Sequence, residues 1–406
     1  MQVDLAMPVN MTDPSSGMTY FQAAKTLSQE VVASTNYSQV QPIPFFENMF
    51  PGWSGVTQSQ LAGSNLDCAS TNQSDPFPAT PTATQAIYDL WTCYVHNETF
   101  ALFLMDLPNS VTGLNTPNSK LGPYAFYHDQ FSSLYSWRNI GTSDYNALQV
   151  TYNLHLGSNL QAQFNYTFGK SLDEASAAER IGPYEGTGGT GNDLNGGGIV
   201  INSYDPLSLR GLSDFNAKHQ INANGVYRLP FGKGQRFAGS AGTLLDEVIG
   251  GWQVSGVFRW TTGFPITVDN TAAWATNWNI EGDAEPIGAI PATGSGSIDS
   301  NGNPFIFKDP ATAIAAFRYD WPGESGVRNN IIGQGIVNLD TGLSKNFRLW
   351  EDKRLEFSWQ SFNATNAVRF DVRSGQPALS QGPLFGLYTK TLTTPRFMQF
   401  ALRFVF

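Results

Sequence analysis

No apolar run approaches the roughly 18 residues that a membrane-spanning helix needs; the best candidate, Phe100–Met105, is far too short, so a transmembrane helix is excluded. Positive charge is also scarce. With 23 Lys and Arg against 33 Asp and Glu, the net charge is -10, and the basic stripe that nucleic-acid phosphates require is missing. Nucleic acid is therefore set aside as a partner. Histidine is limited to His96, His128, His155 and His219, too scattered for an HExxH pair or a zinc site. The two cysteines, Cys68 and Cys93, lie in a stretch rich in Ser, Thr, Asn and Pro. They could pair as a disulfide, worth on the order of 3 kcal/mol by chain entropy, or stand as two unpaired thiols; both alternatives remain open. The N-terminus, MQVDLAMPVN, has neither a basic region nor a long apolar core of a leader. It implies a cytoplasmic protein or a leader that is missing.

What is abundant points to β-structure. Forty Gly, 23 Pro and 13% aromatic residues beside 14% charged ones suit strands joined by many turns and long polar loops. A mean hydropathy of -0.23 looks soluble, but the two faces of a barrel strand cancel in any window average. A length of 406 residues fits two or three soluble domains or one large barrel.

Residues 1 to about 130 show little alternation. Two short helices are predicted, near Met18–Ala33 and Thr84–Tyr94, with apolar residues at helical spacing. Between them Pro42, Pro44 and Pro51 exclude a central strand from residues 41–53, which read as an ordered loop.

From Ser143 the pattern changes. Leu148, Val150, Tyr152, Leu154 and Leu156 alternate with Gln149, Thr151, Asn153 and His155. A tight turn at 157–159 leads into a second alternating strand, 160–169, and the pair reads as a hairpin. Further strands are predicted at 215–228, 252–262, 336–347 and 354–362, with small hairpins near Val368 and Leu384. The last stretch, PRFMQFALRFVF, places Met398, Phe400, Leu402, Phe404 and Phe406 on one face, long enough to cross a bilayer at a tilt. Connections after 156 and 347 are short, that after 228 intermediate, and those after 169, 268 and 362 long. Short and long therefore alternate, which puts every long loop on one side, as in outer-membrane barrels. The fold class implied is all-β, an antiparallel transmembrane β-barrel segment with long extracellular loops. Residues 1–140 form a loop region with short helices, and residues 141–406 the barrel strands.

The segments SDYNALQV (143–150), YTFGKSLDE (166–174), SDFNAKHQINANGVYRLPFGKGQRF (213–237), IGGWQVSGVFRWTTGFPITV (249–268), NLDTGLSKNFRL and RLEFSWQSFNATN resemble the TonB-dependent outer-membrane receptors, particularly those with a carboxypeptidase-regulatory-like N-terminal domain. QPIPFFENMFPG and ATQAIYDLW look like an extracellular loop of the same receptors. The resemblance implies a barrel of about 22 strands, energy supplied through the TonB complex, uptake of a nutrient, and insertion into outer-membrane lipid by the barrel-assembly machinery. Phe400, Leu402, Phe404 and Phe406 resemble the C-terminal insertion signal of such barrels. The family's plug, regulatory domain and TonB box are not found here, and an odd number of crossings implies a C-terminal piece that begins inside an extracellular loop.

Chemical motifs are few. Gly169-Lys170-Ser171 lacks the earlier glycine of a P-loop, since Phe164 stands there. Gly186–Gly198 reads as a flexible loop, and Asp299–Asn303 as a turn, because a calcium loop would need a glutamate where Pro310 sits. Glu281, Asp283 and Glu285 near Trp274 and Trp278 could serve a glycosidase, but charged loops are common and no catalytic residue is assigned. No cofactor or metal is expected. Trp274, Trp278 and Trp321 are the candidate ligand-binding residues, with packing between loops as the alternative. Transport leads; a non-transporting surface adhesin and a secreted carbohydrate-active enzyme are the other readings.

Overall fold

The computed structural model of the protein describes residues 2–4, 8–63, 75–112, 116–131, 134–174, 176, 199–200, 202–274, 277–350 and 353–406. Its alternating segments form one antiparallel wall of seven strands, each paired with the next in the chain. They are β1 (Ser143–Leu156), β2 (Leu160–Asp173), β3 (His219–Arg228), β4 (Gln253–Thr261), β5 (Ile336–Trp350), β6 (Lys353–Phe362) and β7 (Phe397–Val405). A short stretch, Gly211–Leu212, adds beside the end of β2.

Register keeps the two faces apart, because a slip of one residue would exchange them. Tyr152, Phe164, Ala223, Phe258 and Leu339 stand in one row across five strands. The adjacent row, on the opposite face, is Asn153, Gln163, Asn224, Val257 and Asp340. The β1–β2 turn closes with the Asn159 N–H donating to the Leu156 carbonyl at 3.3 Å. Gly157 takes φ +56° there, a conformation that costs a side chain-free residue little.

The apolar face carries rings at both ends. Near the long-loop edge His219 lies against Phe168, at 5.0 Å between centroids, and Trp260, at 6.5 Å, while its Nδ1 is 2.8 Å from the Tyr166 hydroxyl. Near the short-turn edge Trp252 meets Phe357 edge-on at 6.0 Å. Between Trp252 and Trp260 the strand rises roughly 27 Å. The apolar face is open to its surroundings: Phe400 is 69% and Phe406 91% exposed.

The described parts of the long connections leave one edge of the wall and pack with the residues before β1 into a cap, which adds short helices and small hairpins to a chain that is otherwise mostly antiparallel sheet. The two predicted helices form as α1 (Tyr20–Val32) and α3 (Ala83–Thr92), each opened by a capping box, Thr19 with Gln22 and Thr82 with Gln85. The stretch read as a proline-rich loop is instead helical: α2 (Pro44–Met49) and a 3-10 turn, Pro51–Trp53, both begin on proline. Proline forbids a strand interior but suits the first helical position, where no N–H is needed. With α4 (Glu98–Asp106) these helices bury an aromatic core in which Phe50 stacks on Phe126 at 5.7 Å and Phe46 meets Trp91 at 6.0 Å. The run Phe100–Met105 thus belongs to a cap helix. A second core gathers Ile266, Val268, Ile306, Phe307, Phe317 and Phe385 from the later loops. The small hairpins expected near Val368 and Leu384 are 3-10 turns at Val372–Gly375 and Leu379–Leu384.

Among the described residues the outer edges of β1 and β7 pair with nothing, so the sheet is open. Cys93 caps the end of α3 and is disulfide-bonded; Cys68 lies outside the described residues, as does Gly186–Gly198.

Candidate functional site: the polar face and the cap above it

The polar face of the wall is rich in amides. Thr151, Asn165, Asn222, Arg259 and Asn338 share one row, and Thr151 Oγ1 donates to Asn165 Oδ1 at 2.9 Å. Gln149, Thr167, Gln220 and Thr261 form the row above. Arg259 and Asp340 bring charge to an otherwise neutral central surface, and Asp340 Oδ1 accepts the Asn363 N–H at 2.9 Å. Such a surface offers donors and acceptors side by side, which suits water and polyhydroxylated solutes.

Two arginines fasten the cap to the wall. Arg328, 8% exposed, donates from Nη2 to Asp173 (its carboxylate, and its carbonyl at 2.6 Å) and from Nη1 to Asp214 at 3.1 Å and Ser176 at 3.2 Å. Its Nε reaches the Leu209 carbonyl at 3.3 Å. Arg210 pairs with Glu174 at 2.6 Å and with Asp144. Asp173 and Glu174 close YTFGKSLDE, and Asp214 lies in SDFNAKHQ, so segments that carry the resemblance also carry the clamp. Sequence reading missed it, because Arg328 stands 155 residues from Asp173; the one signal available was the acidic pair ending an alternating strand.

The two cap cores join at Glu324, whose carboxylate accepts from Lys25 Nζ at 2.7 Å, Arg318 Nη1 at 2.7 Å and the Trp321 N–H at 3.1 Å. Beside it, the hairpin Asp269–Trp274 with Asn277–Asp283 rises from a buried acidic base. Asp283 is 3% exposed, and burial together with the Asp269 carboxylate pushes it up to about 8. Asp320, buried beneath Gly282, is pushed well above the carboxylate range by burial and accepts a hydrogen bond from Asn270. The bend is fixed by Gly326, φ +71°, where a Cβ would collide with the Asp283 carbonyl. Among the described residues no cluster of three or more His, Cys, Asp or Glu is arranged to hold a metal.

The expected site residues fall in two places. Trp274 ends the first strand of the hairpin opposite Asn277, and Trp278 follows it, so both sit at the tip, with side chains outside those described. Trp321 lies at the base, its ring 5.1 Å from the Arg318 guanidinium. The backbone therefore brings Trp274 and Trp278 together at the tip, whereas Trp321 follows Asp320, which lies against Gly282 at the other end of the hairpin. Glu285 pairs in a short strand opposite Arg318, half-buried, and burial and Glu324 raise it. The turn at Asp299–Asn303 forms as expected, Asp299 Oδ1 accepting the N–H of Asn301 at 2.9 Å and of Asn303 at 2.7 Å.

The buried acids link the cap to pH. Glu98, 3% exposed at the start of α4, is pushed up to about 7 by burial. Raised carboxyls keep their protons folded and release them unfolded, so between about pH 4 and pH 8 the folded chain binds more protons and stability falls as pH rises. Protease resistance of the cap should accordingly decline across that window. Glu98→Gln and Asp283→Asn should flatten the decline, and an unchanged slope in both variants would refute the assignment.

An antiparallel wall with an apolar outer face, rings at both edges and an amide-rich inner face defines a transmembrane β-barrel protein. A family model for an outer membrane beta barrel domain matches residues 11–399. The chain belongs to that family, and its place is the outer membrane. The match takes in the cap as well as the strands. No curated protein matches the chain.

Proposed function

We propose that the chain forms part of the barrel of a TonB-dependent receptor that imports a nutrient, with the cap on the extracellular side. The observation that carries this is the sorting of connections: each crossing pair is joined by a short or intermediate link at one edge, while the described parts of the long links fold into the cap at the other. Outer-membrane barrels carry their long loops outside. The amide-rich polar face favours an oligosaccharide over a charged chelate, and the hairpin tip carries Trp274 and Trp278, a residue type on which sugars commonly stack. The open edges of β1 and β7 call for further strands, since unpaired edges are not tolerated in hydrocarbon, and a barrel of about 22 strands would supply them. In this reading the barrel-assembly machinery inserts the wall, and the TonB complex supplies the energy for uptake.

Cells making the whole protein, given labelled oligosaccharides, provide the test. Deleting TonB should abolish accumulation inside the cell while leaving surface binding intact. Binding with no TonB-dependent accumulation would overturn transport and leave the adhesin reading in its place.

A further inference from the structure

We propose that the link between β3 and β4 is a membrane-surface anchor, in which helix α5 (Thr243–Ile249) lies against the outside of the wall and seats Leu244, Leu245 and Val248 among phospholipid headgroups at the short-turn edge. The proposal rests on the outer-membrane placement of the apolar face and adds a lipid contact beyond the strands themselves.

Leu244 is 87%, Leu245 52% and Val248 65% exposed. At helical spacing they occupy one arc, with Asp246 and Glu247 on the other side. A short amphipathic helix with so little of its apolar face covered needs an occupant. The wall decides which. Trp252 Nε1 donates to the Val248 carbonyl at 2.9 Å, and Trp252 shares the apolar parity of Val254 on β4. Its ring meets Phe357 at 6.0 Å. Lys345, on the apolar face of β5, holds its ammonium 5.4 Å from the Trp252 ring and 4.8 Å from the Phe347 ring. Among the described residues Lys345 Nζ has no hydrogen-bond partner. The bond from Trp252 thus ties α5 to the lipid-facing side of the wall, so the exposed leucines are continuous with the lipid-facing surface. The helix is also held in place from its own loop: Asp246 Oδ1 accepts the Lys233 N–H at 2.6 Å, and Gly232 and Gly250 approach Asp246 too closely for a side chain. A tryptophan and a lysine at the boundary, with an apolar helix beside them, are the groups that suit a headgroup layer.

The test uses the whole protein reconstituted in vesicles of phosphatidylethanolamine and phosphatidylglycerol. Single-cysteine variants Leu244→Cys, Val248→Cys, Glu247→Cys and Val254→Cys carry an environment-sensitive fluorophore, and quenching by nitroxides on the lipid is compared with quenching by aqueous iodide. Labels at 244 and 248 should be quenched several-fold more by shallow lipid nitroxides than by iodide, with the reverse at 247. Trp252→Phe, which removes the donor to Val248, should shift the labels at 244 and 248 toward iodide. The label at 254 should respond to deep nitroxides. If 254 does so while 244 and 248 behave like 247, or are reached by neither quencher, the anchor is overturned and the wall stands. If 254 also fails to respond, the lipid-facing assignment falls with it.

Discussion

Replacing Arg328 by methionine should loosen the cap by about 3–5 kcal/mol, the range for breaking a buried ion pair from one side. The variant strands Asp173, whose side chain is 8% exposed, beneath a cap that no longer neutralises it. It also strips donors from the Leu209 carbonyl and the Ser176 hydroxyl. The segments around 202–214 and 321–330 should become sensitive to protease while the wall strands stay protected. Arg328→Lys should not rescue, because one ammonium cannot replace donors from Nε, Nη1 and Nη2 aimed at separate acceptors. The comparison is Arg354→Met, which removes a 2.9 Å pair with Glu356 from a half-exposed guanidinium and should cost about 0–1 kcal/mol. Equal protease patterns in the two variants would show that the clamp does not hold the cap.

The second large effect separates the faces of the wall. Leu154→Arg and Val254→Arg place charge on the lipid side, at a cost of about 2–4 kcal/mol near mid-membrane. Asn153→Arg and Ser255→Arg place it on the amide-rich side among water and polar groups, at much lower cost. Val254 stands in register with Tyr227 and Leu343, and Ser255 with Val226 and Gly342, so neighbouring positions on one strand should differ sharply. Assembly of the whole protein in outer-membrane fractions should fall for the first two variants and hold for the others. Cysteines at 154 and 254 should react with a lipid-soluble maleimide only, and those at 153 and 255 with a water-soluble one. Equal labelling of both faces by the water-soluble reagent would remove the barrel assignment.

The wall was legible in the sequence because each strand states its own faces: the alternation from Leu148 to Leu156 needs no knowledge of its neighbours. Strand ends were less legible. The stretch from Phe215 was read as strand, yet β3 begins at His219, because Ser213, Asp214 and Asn216 are drawn into the clamp region: Asn216 accepts from the Ser171 N–H, and Ser213 donates to the Ser171 carbonyl. The cap was largely hidden, since its cores join residues far apart in the chain and its charges are satisfied across loops. Pro44 illustrates the limit: the residue rules out a strand interior, and only packing of Phe45, Phe46 and Met49 decides for a helix. Helix α5 escaped because a short helix inside an intermediate connection carries too few turns for periodicity to stand out. Trp274, Trp278 and Trp321 looked like one group in sequence, but hairpin geometry separates tip from base.

The spacing of the rings has a consequence for where the protein can reside. With strands tilted by about 40°, the roughly 27 Å between Trp252 and Trp260 projects to about 20 Å along the membrane normal. An ordinary hydrocarbon layer is about 30 Å thick. The shortfall leaves a hydrophobic mismatch, relieved where the layer is thin and penalised by fractions of a kcal/mol per Å where it is thick. The bacterial outer membrane is thinner than average, so the ring-to-ring height of the wall sorts the protein toward that membrane independently of any receptor-read address.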